Sequence, residues 1–100
     1  MAHKQPTYHE DLLERLKDPA YAVEYLEAAL EERDMPEVFL LALRNVAEAR
    51  GMARIAREAN LNRENLYAML SERGNPVLSS LYAILDALGL RLSISRKQAA

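Results

Sequence analysis

The sequence predicts an all-α domain of five to six short helices, closed by a short C-terminal strand. Three observations carry this expectation. Ala, Leu, Glu and Arg dominate the 100 residues, with only three Gly and four Pro, a mixture that favours helix over strand. Apolar residues recur at spacings of three and four through most of the chain, the period of a helix with one buried face. Start and stop signals cut this pattern into short lengths. Half the residues are apolar, enough for one core in a chain of this size.

The elements follow in order. Residues 1–8 are polar and include Pro6, and are expected to be a frayed tail. Thr7 and Glu10 form a capping-box pair ahead of Leu12, Leu13 and Leu16. Asp18-Pro19 is an N-cap followed by Pro at the first helical position, and predicts a helix to about Arg33 through Val23, Leu26 and Leu30. Glu24, Glu27 and Glu31 repeat on another face of it. Pro36 starts a third helix to about Arg50. Its broad apolar set, including Val38, Phe39, Leu43 and Val46, marks it as central. Gly51 ends it. Two short helices follow, over about 52–59 and 63–72. Gly74-Asn75-Pro76 is a turn, and residues 78–88 form a last helix stopped by Gly89. Residues 90–95 alternate apolar and polar, which is strand periodicity. A lone strand leaves its backbone unpaired, so a second copy of the chain is the obvious partner.

Charge and composition narrow the function. The net charge is −2, yet residues 1–40 carry 4 basic and 10 acidic side chains, and residues 41–100 carry 9 and 5. Two surfaces with different partners are expected, because screening confines each field to about 10 Å at 0.1 M salt. The chain has no Cys, which excludes a disulfide framework and thiolate metal sites. No apolar run reaches the roughly 18 residues of a membrane span. The N-terminus has no apolar signal core, so a cytoplasmic protein is expected. His3 and His9 are the only histidines, too few for a metal site, and no nucleophile–base pair or Gly-rich phosphate loop is evident. An enzyme is therefore not expected, nor any cofactor. Tyr21, Tyr25 and Tyr82 read as core or interface residues.

Residues 52–71 meet the demands of a helix-turn-helix. Ile55 is apolar and Ala56 is small where the second helix must cross. Ala59 closes the first helix. Asn60 tolerates positive φ at the turn, Leu61 plugs the junction, and Asn62 caps the second helix. Leu66, Met69 and Leu70 face inward. Arg63, Glu64, Asn65, Tyr67 and Ala68 are left outward. Arg, Asn and Glu suit the acceptor and donor patterns of guanine, adenine and cytosine in a major groove. An ordinary helical hairpin offers the same apolar spacing.

The stretch from Gly51 to Ser71, with Asn65-Leu66-Tyr67, then Gly74-Asn75-Pro76, then Leu85-Asp86-Ala87-Leu88-Gly89-Leu90-Arg91-Leu92, resembles the Cro/C1-type helix-turn-helix domain. More narrowly, it is similar to the HigA-like addiction-module antidote proteins. The resemblance covers about residues 35–95, and Asn60 departs from the usual turn Gly. It implies a lambda-repressor-like helical domain over 36–96, an acidic helical extension over 1–35 and a tail at 97–100. It also implies a dimeric repressor on a palindromic operator in double-stranded DNA, which neutralises a RelE-type toxin. By position, Arg63, Glu64, Asn65, Tyr67 and Ala68 would lie at the major groove. Asn62 would hold a phosphate, with Arg54, Asn75 and Ser79 as further phosphate contacts. Glu24, Glu27 and Glu31 would face the toxin, although a solvated helix face explains them too. The alternative function is a protein-interaction module on the same scaffold without DNA binding.

Overall fold

A computed structural model describes residues 7–98. Six helices follow one another: α1 (Tyr8–Arg15), α2 (Pro19–Leu30), α3 (Pro36–Arg50), α4 (Met52–Glu58), α5 (Arg63–Met69) and α6 (Leu78–Ala87). Helices α3 and α4 form the spine. Helices α1 and α2 pack on α3, and α5 and α6 pack on α4. The core joins both groups through Leu16, Leu26, Leu43, Ile55, Leu66 and Ile84, and among the described residues every buried one is apolar. Burial of such side chains contributes about 1.5–3 kcal/mol each before the entropy of ordering is counted.

The helix starts arise from local chemistry. Thr7 Oγ1 accepts from the Glu10 N–H at 3.1 Å, and the Thr7 N–H donates to Glu10 Oε2 at 3.2 Å, a reciprocal capping box. Tyr8 therefore belongs to α1, not to a tail. Residues 1–6, with His3, lie outside the described residues. Asp18 Oδ1 accepts from the Ala20 N–H at 3.1 Å, with Pro19 opening α2.

Three boundaries differ from expectation. Helix α2 stops at Leu30, three residues before Arg33. Its last N–H groups turn to carbonyls three residues back, Glu31 to Ala28 and Glu32 to Ala29, and Met35, ahead of Pro36, is held out of the helical region at φ −133° and ψ 70°. Helix α5 stops at Met69 rather than Glu72, because Ser71 Oγ takes the Ala68 carbonyl at 2.8 Å, a local bond that competes with helix. The turn beyond it spans Ser71–Gly74, closed by the Gly74 N–H to the Ser71 carbonyl at 2.9 Å. Asn75 and Pro76 continue as the link to α6.

The expected strand at 90–95 is a correction. Residues 90–98 have no regular secondary structure, and no described segment pairs with residues 91–98 through backbone hydrogen bonds. The helix before them ends as Gly89 predicts. Gly89 has φ +75°, its N–H donates to the Asp86 carbonyl at 2.9 Å, and the Leu90 N–H reaches Leu85 at 2.8 Å. That pair of bonds is the Schellman arrangement.

Candidate nucleic-acid interface

Helices α4 and α5 are held at a tight turn by the same device. Asn60 is the non-glycine residue with positive φ, at 59°, among the described residues. Its N–H donates to Arg57 at 3.1 Å, and the Leu61 N–H donates to Ala56 at 2.8 Å. Both bonds satisfy carbonyls that the end of α4 would leave free. Asn reaches this conformation at lower cost than most side chains, which explains its use where Gly is commoner. Gly51, with φ +100° and ψ 110°, is the single residue between α3 and α4. That region of backbone space is closed to residues with a Cβ.

Helix α5 is anchored from behind and open in front. Leu66 and Leu70 are fully buried, and Met69 is half-buried. Arg63, Glu64, Asn65 and Ala68 are exposed. Asn62 Oδ1 accepts from the Asn65 N–H at 2.7 Å. The cap consumes that oxygen and leaves the Asn62 side-chain NH₂ free to donate. Removing the cap with Asn62→Ala is expected to lower stability by about 0.5–2 kcal/mol, read as a shift in the urea midpoint.

Tyr67 behaves differently from its neighbours. It is half-buried against the core, not fully outward. The Arg44 guanidinium lies 5.0 Å from the centre of its ring and that of Arg63 lies 5.8 Å away, both within cation–π range. Arg44 also donates from Nε to Glu48 at 3.3 Å, and Glu48 meets His9 Nε2 at 3.2 Å. Arg44 was missed in the sequence because it lies outside the twenty-residue motif. Its register on the central helix α3 was the available signal.

The remaining residues divide by location. Arg54 is exposed on α4 and pairs with Glu58 at 3.0 Å. Asn75 and Ser79 are exposed at the entry to α6, whose N-terminus has no side-chain cap. Glu24 and Glu27 are exposed on α2, and Glu31 is exposed just past its end. Among the described residues none of these three carboxylates is in an ion pair. No group of three His, Asp or Glu among the described residues is arranged to hold a metal ion, and no described helix is long and apolar enough to cross a membrane.

A family model described as "Probable addiction module antidote protein" matches residues 7–96, which is nearly the whole described chain. The chain belongs to this antidote family. A toxin as partner is implied by the family in general. An uncharacterized protein of Haemophilus influenzae is 37% identical to this chain over 88 residues, spanning 88% of this chain and 90% of that protein. No solved structure matches this chain.

Proposed function

We propose that this antidote is a sequence-specific DNA-binding repressor that binds a palindromic operator as a homodimer and neutralises a RelE-type toxin without catalysis of its own. The observation that carries the DNA reading is the two-sidedness of α5. Leu66 and Leu70 fix its back, while Arg63, Glu64, Asn65 and Ala68 are free at its front. A helix that reads base edges needs a rigid mount and an unburied N-terminal half. The free Asn62 NH₂, Asn75, Ser79 and the uncapped α6 N-terminus supply donors suited to phosphate. Arg54 can serve there by exchanging Glu58 for a phosphate.

The toxin reading rests on α2. Glu27 and Glu31 sit at its C-terminal end, with no basic residue in the last turn. Acidic groups there oppose the helix dipole by about 0.3–1 kcal/mol each. With Glu24 they form an unpaired anionic face that attracts a basic protein.

Arg63→Ala is expected to weaken operator binding by about 1–3 kcal/mol while leaving random DNA nearly unchanged, as read by fluorescence anisotropy. Equal losses on both would reduce Arg63 to a phosphate contact. Asn62→Asp retains the cap and folding stability, but its carboxylate repels phosphate, so DNA binding falls on all sequences alike. One observation favours the interaction-module reading. Arg44 and Arg54 are each paired with a Glu on their own helix, which mutes the basic face. Absence of any gel shift at low salt would support that alternative.

A further inference from the structure

The outer side of α6 and the segment after it enclose a groove lined by Leu78, Tyr82, Leu90, Leu92 and Ile94. Tyr82 is half exposed and Ile94 is 100% exposed, and Leu78 and Leu92 are also open to solvent. Single exposed apolar side chains are ordinary, but four around one groove mark a contact surface. The backbone beside them is also unsatisfied. Past the Leu90 N–H, no backbone N–H or carbonyl of residues 91–98 has a backbone partner among the described residues.

We propose that a second copy of the chain covers this face, with residues 90–95 pairing antiparallel with their own copy about a two-fold axis through Leu92. This deepens the homodimer in the functional reading above and rests on that part alone. The register follows from the sequence. With the axis at Leu92, Leu92 faces its copy, Leu90 faces Ile94, and Arg91 faces Ser93. Every apolar residue then meets an apolar one, and no base meets a base. An axis at Arg91 sets two guanidinium groups directly opposite, which is destabilising. An axis at Ser93 sets Leu90 against Arg96. A one-residue slip would send Leu92 and Ile94 to the wrong face.

Charge favours a copy over another partner. The groove holds one acid and one base, Asp86 and Arg91, so it carries no net charge and a second copy is not repelled. A basic partner is drawn instead to the unpaired carboxylates of α2. The arrangement is isologous, as two-fold symmetry requires.

The test uses the full-length chain without DNA, so its outcome is independent of operator binding. Sedimentation should show a dimer. Ile94→Asp, at a fully exposed side chain that the single chain does not need, should raise the dimer dissociation constant by about tenfold or more, with an unchanged melting curve. The native chain has no Cys, so single replacements report the register. Leu92→Cys should oxidise readily to a disulfide-linked dimer, because residues facing each other across an antiparallel pair lie about 4.5–5.5 Å apart at Cα. Ile94→Cys should not, because its copy lies four residues along the strand, about 13 Å away. A monomer at about 100 µM, weaker than any stable repressor dimer, would overturn the proposal. So would an Ile94→Asp dimer of undiminished affinity, or cross-linking by Ile94→Cys as fast as by Leu92→Cys.

Discussion

Leu66→Ala is expected to destabilise the protein by about 2–5 kcal/mol, the range for truncating a buried leucine. Leu66 has 0% exposure and sits in the middle of α5, facing the core. Its N–H closes the first turn of the helix to the Asn62 carbonyl at 3.0 Å. A seven-residue helix is far too short to persist alone, so tertiary anchoring is what keeps α5 formed. The loss would be a large share of the roughly 5–15 kcal/mol available to a domain of this size. Guanidinium unfolding followed by circular dichroism measures it. Glu64→Ala, two residues away on the exposed side, is the comparison and should stay within about 0.5 kcal/mol. Equal effects at the two positions would mean that α5 is not docked as described.

Gly74→Ala should be nearly as damaging, by about 1–3 kcal/mol for a side chain forced into occupied space. The reason is not its φ. A Cβ on Gly74 would collide with the Met69 carbonyl oxygen, lie 2.7 Å from the Met69 carbonyl carbon and 3.0 Å from the Ser71 carbonyl oxygen. These are backbone atoms at the end of α5, so no rotamer change relieves the contact. The chain must open the Ser71–Gly74 turn, which shifts the C-terminal end of α5. Gly89→Ala provides the contrast. Its Cβ would meet nothing within 4 Å, but φ is +75°, so its cost is conformational, about 1 kcal/mol. Thermal melts of the two variants separate collision from conformational strain.

The helix starts were legible because each rests on two or three adjacent residues: Thr7 with Glu10, Asp18 with Pro19, and Asn62 with its own N–H partner. The α4–α5 turn was legible for the same reason, since Asn60 and Leu61 carry its two bonds. The missed features rest on contacts that propensity and spacing do not encode, some local and some distant. Helix α5 ends early because Ser71 bonds Ala68 and Gly74 approaches Met69, and propensity alone carries neither. Tyr67 turns toward Arg44, a residue 23 positions earlier on another helix. Alternation in residues 90–95 gives no strand within the single chain, because periodicity carries no information on where a pairing strand comes from. The candidate site divides likewise. The exposed residues of α5 follow from helical phase, whereas the Arg44–Tyr67–Arg63 contact needed the fold.

In the proposed function α5 reads DNA sequence. The most direct measurement is a titration of the full-length protein against a duplex from the region upstream of its own gene and against a shuffled duplex of the same composition, across a salt series. Operator binding is expected to be at least about 10³-fold tighter than binding to the shuffled duplex, with both affinities falling as salt rises. Equal affinity for the two duplexes at every salt concentration would contradict it.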